Sequence, residues 1–158
     1  MAKEETIYRK CREDAGLTRD RASELLEWIS PDRIDRIERG AVPHPDEVLR
    51  MAECYKRPEL CNYYCTHTCR IGQELIPEVQ EKELANIVLE LLSTMNTLDK
   101  EKNRLIEITA DGVITADEYH DFALIQKQLE SISMSVDSLK LWIQKTVAAG
   151  KMEADALK

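Results

Sequence analysis

The sequence predicts an all-α protein, in which a compact five-helix domain precedes a long antiparallel two-helix hairpin. Short segments with apolar residues three and four positions apart fill the first part, and each is opened or closed by a proline or a glycine. Two much longer segments with the same periodicity fill the second part. The predicted boundaries are 1–60 for the compact domain, 61–77 for a cysteine-bearing junction, 78–149 for the hairpin and 150–158 for a frayed tail.

The charge of the chain is unevenly distributed. The formal net charge is −8 over 158 residues, and a strongly acidic chain is not what electrostatics predicts for a nucleic-acid binder. Residues 1–60 carry 12 Lys and Arg against 14 Asp and Glu, whereas residues 61–158 carry 10 against 16. The first part is therefore close to neutral, and most of the acidity lies in the second.

Three features of the sequence predict a cytoplasmic protein with no membrane partner. No apolar run approaches the roughly 20 residues that a membrane span needs. The first residues, Met-Ala-Lys-Glu-Glu, lack the pattern of a signal peptide. Five cysteines, an odd number, fit a reducing compartment better than a framework of disulfides.

The first domain shows clear starts and stops of helices. Its helices are predicted at residues 4–15, 19–26 and 31–39, from residue 45, and in a short segment after residue 58. Thr18 can cap the second helix. Ser30 followed by Pro31 is a strong start signal, because the hydroxyl caps the helix and proline loses nothing at the first helical position. Gly40 ends that helix.

The residues of this domain carry a resemblance to a known family. They are Gly16-Leu17-Thr18, Ala22, Ile29-Ser30, Ile34, Arg36-Ile37-Glu38-Arg39-Gly40, Pro43 and Val48-Leu49-Arg50-Met51-Ala52. Over residues 5–60 the chain resembles the phage-repressor-like helix-turn-helix family, the Cro and xenobiotic-response-element (XRE) class. The resemblance implies a lambda-repressor-like five-helix fold and sequence-specific binding to double-stranded DNA. It also implies transcriptional regulation by a phage or mobile-element type repressor, commonly as a dimer.

The turn between the second and third helices departs from the family pattern. The usual turn has one glycine and one apolar residue before the serine, and here Leu26-Glu27-Trp28-Ile29 makes it about two residues longer. Two outcomes are open. Either the second helix runs on by half a turn, or the turn is reshaped around Trp28.

The resemblance makes the third helix the recognition helix. Ile34 and Ile37 point inward, so Asp32, Arg33 and Arg36 are predicted on the open face, where either arginine can read guanine through its bidentate fork. Other residues are predicted to grip phosphates. The full set of predicted DNA-contacting residues is Arg19, Arg21, Ser30, Asp32, Arg33, Arg36 and Arg39.

A second interpretation of these arginines stays open. They can form ion pairs with Asp32, Asp35 and Glu38 on a solvated helix face. The domain would then be a protein-interaction module with a degenerate helix-turn-helix. No catalytic constellation stands out in the sequence, so the protein is not expected to be an enzyme, and no cofactor is expected.

The junction contains a group of soft metal ligands. Cys61, Cys65 and Cys69 follow one another at four-residue spacing, with His67 among them. Thiolates and imidazole suit zinc or an iron–sulfur centre, but most structural zinc sites use two-residue spacings on a turn. We therefore predict that these cysteines are small apolar residues of the core, without metal. A metal or redox sensor built on them is the alternative.

The second part has the heptad pattern of a coiled-coil hairpin. One helix is predicted from Pro77 to Ala110, and a capping box at Thr115 starts the next. The seam of the first helix consists of Leu84, Val88, Leu91, Met95 and Leu98. That of the second consists of Phe122, Ile125, Leu129, Ile132, Val136, Leu139 and Ile143. The short connection makes the two helices antiparallel.

Several apolar residues of the hairpin lie off this seam and need another surface. They are Ile87, Leu92, Ile106, Leu141 and Trp142. A second copy of the hairpin would cover them in a four-helix interface, which predicts a homodimer. Packing onto the five-helix domain is the alternative.

Overall fold

The computed structural model describes residues 6–153, and within them every regular element is a helix. The all-α prediction is therefore confirmed. The helices are α1 (Ile7–Asp14), α2 (Arg19–Leu26), α3 (Pro31–Glu38), α4 (Pro45–Tyr55), α5 (Glu59–His67), α6 (Arg70–Leu75), α7 (Leu84–Thr109) and α8 (Tyr119–Ala148). The chain divides into two compact units. The first comprises the chain up to Glu78 with the residues from Ile143 onward, and the second is Val79–Trp142. The predicted domain boundaries stay a prediction.

The first unit has one apolar core, built by the inward faces of α1 to α5. Each of these helices is too short to be stable alone, so burial of its apolar stripe supplies most of its stability. The core residues are Tyr8, Cys11, Ala22, Leu26, Ile29, Ile34, Ile37, Val48, Met51, Ala52, Tyr55 and Leu60. The second, third and fourth helices begin at the predicted residues. Residues 4 and 5 of the predicted first helix lie outside the described residues.

The predicted caps form. The Thr18 hydroxyl accepts a hydrogen bond from the Arg21 N–H at 3.2 Å, and the Ser30 hydroxyl accepts one from the Arg33 N–H at 3.3 Å. Each bond satisfies one of the N–H groups that have no partner at a helix start. Gly40, with φ of +103°, follows α3 in a conformation that favours glycine.

The junction contains two short helices, α5 and α6, which meet at Gly72. A Cβ atom on Gly72 would lie 2.3 Å from the carbonyl oxygen of Cys65, a distance that no real Cβ atom tolerates. The residue at this position must therefore be glycine for the two helices to approach this closely.

Replacing Gly72 with alanine is expected to lower the free energy of unfolding by about 1–3 kcal/mol, because the added methyl group meets backbone that cannot rotate away. Urea denaturation followed by circular dichroism measures this loss. Glu74→Ala is the matched control, since Glu74 lies exposed on the same short helix. Equal stability of the two variants would show that the contact between α5 and α6 is not tight.

The second unit is an antiparallel pair of long helices. Thr94 on α7 lies 3.5 Å from Ser131 on α8, measured between the hydroxyl oxygens. Ten positions later on α7, Arg104 donates to Asp121, ten positions earlier on α8, at 2.7 Å. This opposite progression confirms the antiparallel hairpin. The Thr115 N–H and hydroxyl both donate to the Glu118 carboxylate, at 3.0 and 2.7 Å, which gives one half of the predicted capping box just before α8.

The first long helix begins later than predicted. It starts at Leu84 rather than at Pro77, and residues 77–83 are not helical. Within this segment only Val79 is apolar after the proline, so a helix here would bury little. The Asn62 side chain donates to the carbonyl of Pro77 at 3.0 Å, which satisfies that group outside a helix.

The hairpin buries only part of the predicted set of residues. Ile87 and Leu141, expected to need another surface, are buried, whereas Leu92 and Ile106 are exposed and Trp142 is partly buried. Of the predicted seam Ile125 is buried, but much of the rest stays open, and the exposed seam residues are Leu84, Val88, Met95 (51%) and Leu129. An apolar groove of about 520 Å³ runs along the seam. The groove is lined by Leu91, Met95, Leu98, Asp99, Lys102, Ile132 and Val136.

The predicted tail and the predicted absence of a membrane span are the remaining points of the fold. Of the predicted tail 150–158, the last five residues lie outside the described part of the chain. Among the helices of residues 6–153, none combines the length and the hydropathy of a membrane-spanning segment.

Candidate nucleic-acid interface

The helices α2 and α3 are joined by a reshaped turn, and α2 does not run on beyond Leu26. The Trp28 N–H donates to the carbonyl of Leu26 at 2.8 Å, across Glu27 with φ of +66° and ψ of −60°. These values define a γ-turn of the strained, positive-φ kind. The second of the two outcomes expected for this turn is therefore observed. A backbone conformation of this kind costs about 1–3 kcal/mol, which surrounding contacts must offset.

Three contacts hold this turn. The Ser23 hydroxyl donates to the carbonyl of Ile29 at 2.8 Å, and Ile29 is buried in the core. From α4, the Arg50 guanidinium donates to the carbonyl of Leu25 at 3.3 Å. It also lies 3.5 Å from the Glu27 carboxylate. The turn is thus fixed from both sides, and the angle between α2 and α3 is fixed with it.

The open face of α3 differs from the predicted one. Asp32 and Arg36 are exposed, as expected. The prediction that Arg33 also lies on the open face is wrong. Its side chain is only 22% exposed, and its Nε and Nη2 atoms each lie 2.7 Å from the Glu47 carboxylate. Nη2 also donates to the carbonyl of Val42 at 3.0 Å. Arg33 therefore ties α3 to the start of α4.

The Glu47 carboxylate accepts hydrogen bonds both from Arg33 and from the backbone at the start of α4. It accepts the backbone N–H of His44 at 2.7 Å, next to the arginine fork. The hydrogen bond from Arg33 is the largest influence, and with the smaller one from His44 it outweighs burial and holds the pKa of Glu47 below its ordinary value. The carboxylate is therefore ionised in the folded protein at neutral pH.

Glu47→Gln is expected to lower the free energy of unfolding by roughly 1.5–3 kcal/mol at neutral pH, the usual range for a hydrogen bond to a charged group. Because the folded-state pKa is depressed, the stabilisation is present above the unfolded pKa and is lost as the pH falls through the folded pKa. Wild type and variant should therefore converge in acid. Denaturation at a series of pH values measures this, with the exposed neighbour change Asp46→Asn as the control. A constant difference at all pH values would contradict the assignment.

Three other predicted DNA contacts are also in ion pairs. The Arg19 guanidinium lies 2.9 Å from the Glu38 carboxylate and 3.3 Å from that of Asp35. Arg39 lies 2.8 Å from the other Asp35 oxygen, and Arg21 pairs with Glu24. The Arg39 and Arg21 side chains are more than 60% exposed, and exposed pairs contribute about 0–1 kcal/mol, so these two can exchange their carboxylates for phosphates at small cost. Arg19 is only 38% exposed and its partner Glu38 is buried, so this pair is not an exposed one.

Arg36 is the exception among the predicted arginines. It is exposed, and within the described residues it has no carboxylate at ion-pair distance. Its neighbours on the turn below and above, Asp32 and Arg39, are exposed as well. Among residues 6–153, this leaves the guanidinium fork on the outer face of α3 without a carboxylate partner.

A buried ion pair at the back of α3 was missed by the sequence reasoning. Arg12 and Glu38 are each about 5–6% exposed, with Nε and Oε1 2.5 Å apart and Nη2 and Oε2 3.1 Å apart. Arg12 also donates to the carbonyl of Leu17 at 2.6 Å. The signal was spacing, because Glu38 follows the core residue Ile34 by four positions and so shares its face. The pair fastens α1 to the end of α3.

The three cysteines of the junction do not lie on one helix. Cys61, Cys65 and Cys69 do not share a helix face, because α5 ends at His67 and Cys69 precedes α6. His67 is stacked on Tyr63, with the ring centroids 4.2 Å apart. Within residues 6–153, no group of three or more His, Cys, Asp or Glu side chains is placed to hold a metal ion. Burial raises the pKa of the Cys61 thiol, which makes it less reactive.

Comparison with known proteins gives one match, and it lies in the first unit. Residues 9–60 match the family model of a helix-turn-helix domain. The match begins within α1 and ends at the start of α5, so it spans the α2–turn–α3 arrangement described above. Such a domain suggests a DNA-binding regulator. No curated protein and no solved structure matches the chain.

Proposed function

We propose that this protein is a sequence-specific DNA-binding transcriptional regulator of the phage-repressor-like (XRE) type, as found in phages and mobile elements. The observation that carries the proposal is Arg36, exposed and without an ion-pair partner among the described residues, on the third helix of a domain that matches the helix-turn-helix model. In this arrangement the recognition helix enters the major groove of double-stranded DNA. A cytoplasmic location, where such DNA is accessible, belongs to the same proposal.

The proposed contacts are of two kinds, those to bases and those to phosphates. Arg36 reads guanine, since its fork matches the O6 and N7 acceptors, and Asp32 accepts from the amino group of cytosine. Arg19, Arg21, Ser30 and Arg39 contact phosphates, which position the domain but carry no sequence information. Arg33 has a different role in this proposal from the one its position in the sequence indicates. It orients α3 through Glu47.

We further propose that the regulator acts as a homodimer formed by the hairpin of the second unit. The open groove along the predicted seam supports this, because apolar side chains of both α7 and α8 line it. Asp99 and Lys102 also line it, so the same surface offers one negative and one positive group. A two-fold axis brings a patch against itself, and such a patch is self-complementary in charge when it contains both signs. Two hairpins would form a four-helix bundle.

Selection of bound sequences from a random pool of duplex DNA tests the whole proposal. The expected result is an enriched palindrome with half-sites about one duplex turn apart, ~34 Å. Its affinity for the protein should fall as salt rises, because phosphate contacts release counterions. Recovery of the input pool without enrichment would contradict sequence-specific binding.

The dimer has a separate test. Met95→Glu places a charge in the groove and is expected to convert a dimer into a monomer in sedimentation velocity at micromolar concentration. Leu89→Glu is the matched control, because Leu89 is exposed on the same helix but does not line the groove. A wild-type monomer, or equal behaviour of the two variants, would contradict the proposed interface.

One observation favours a second function, a protein-interaction module. Four of the five arginines that the sequence predicts as DNA contacts are held by carboxylates of their own domain, and residues 1–60 carry no excess of basic residues. In that case the selection yields no sequence, and binding to DNA is weak at all salt concentrations.

A further inference from the structure

The side chain of Trp28 is unusually placed. It is 57% exposed, although tryptophan is a large apolar residue that is highly buried on average. It stands on the turn two positions before Ser30, the cap of α3. The N-terminal end of the recognition helix is the part that meets base edges in a helix-turn-helix complex. An apolar surface is therefore presented where bases would be read.

The turn that carries Trp28 has an unfavourable backbone conformation, and contacts with the rest of the domain hold it in place. The residue before Trp28, Glu27, adopts a positive φ of +66°, which non-glycine residues rarely do. The residue after it, Ile29, is buried, and the bonds from Ser23 and Arg50 hold the backbone on both sides. The backbone that carries the indole is therefore held in place before any partner arrives, which reduces the ordering cost of binding.

We propose that Trp28 is a specificity-determining residue that contacts the C5-methyl group of a thymine at the edge of the bound site. This inference rests on the proposed function. The indole has one N–H donor and no acceptor, so its main capacity is apolar contact. In the major groove the thymine methyl is the apolar group on the base-pair edges. It lies on one strand only, so such a contact distinguishes A·T from T·A.

The test uses the full-length chain and the sequence enriched from the random pool, as a labelled duplex of about 20 base pairs, roughly two turns. Each thymine is replaced in turn by deoxyuridine, which lacks only the methyl group. At one position per half-site the replacement should weaken wild-type binding about fourfold, the effect of exposing one buried methyl. In Trp28→Ala the same replacement should have no effect. Fluorescence anisotropy of the labelled duplex measures both affinities.

A matched control and a second readout separate the possible failures. Leu49→Ala removes another exposed apolar side chain of the same unit, and it should keep the full deoxyuridine effect. Trp142→Phe leaves Trp28 as the one tryptophan, because the chain has two, and its emission should change when the duplex is added. Tight binding with unchanged emission, and with equal deoxyuridine effects in wild type and Trp28→Ala, would overturn the inference and leave the proposed function intact. Absence of any enriched sequence would overturn both.

Discussion

Replacing Arg12 with alanine is expected to lower the free energy of unfolding by about 3–5 kcal/mol, the cost of removing one partner of a buried ion pair. The variant keeps the Glu38 carboxylate buried, with the more exposed Arg19 as its remaining cation. It also leaves the carbonyl of Leu17 without its donor. Because a small domain has a total stability of only about 5–15 kcal/mol, this loss is a large share of it.

Arg9→Ala is the matched control for this prediction. Arg9 lies on the same helix and pairs with Glu13 at 2.8 Å, but both side chains are more than 40% exposed. An exposed pair contributes about 0–1 kcal/mol, so this variant should melt close to wild type. Thermal denaturation of the two variants in parallel distinguishes them. Similar losses in both would mean that the Arg12–Glu38 pair is not buried in solution.

A double variant tests whether the loss of stability in Arg12→Ala comes from the buried charge that is left without its partner. Replacing both members together, Arg12→Met with Glu38→Leu, removes both charges and leaves none uncompensated. Such replacements of buried pairs by apolar residues are often neutral or stabilising. The double variant is therefore expected to recover most of the stability lost in Arg12→Ala. If it does not, the hydrogen bond to the carbonyl of Leu17 contributes more than the charge pair does.

The local features of the first unit could be predicted because their causes are local. Thr18 and Ser30 each bond to an N–H three positions ahead, so the sequence around them contains everything that the cap needs. The same holds for Gly40 and for the capping box at Thr115. The reshaped turn was detectable as a surplus of residues, but its γ-turn depends on the bond from Arg50 in α4.

The role of Arg33 could not be predicted from its position on α3. Its partner Glu47 lies fourteen positions further along the chain and had a sufficient local explanation as an acidic residue in the first turn of α4. Only the folded chain brings the two together. The largely open seam of the hairpin could not be predicted for a similar reason. A heptad pattern predicts an apolar stripe but does not indicate which chain covers it.

Arg36→Ala is expected to abolish most of the sequence specificity of DNA binding. A bidentate contact to a base contributes about 1–3 kcal/mol, so each half-site loses roughly five- to 150-fold in affinity. The loss should appear only against the selected sequence, because random duplex is bound through phosphates, which Arg36 does not contact in the proposed arrangement. Since Arg36 is exposed and unpaired within the described residues, the melting temperature should stay unchanged.

Two other arginine variants serve as controls for Arg36→Ala. Arg39→Ala removes a proposed phosphate contact, so it should weaken binding to all sequences alike and reduce the salt slope by about one. Arg33→Ala breaks the pair with Glu47 and should lower stability as well as affinity. Base-by-base competition with the enriched sequence distinguishes the three, because only Arg36→Ala should lose discrimination at a guanine while it remains fully folded. If Arg36→Ala discriminates at every position as wild type does, α3 does not read DNA through Arg36, and the protein-interaction function becomes the better proposal.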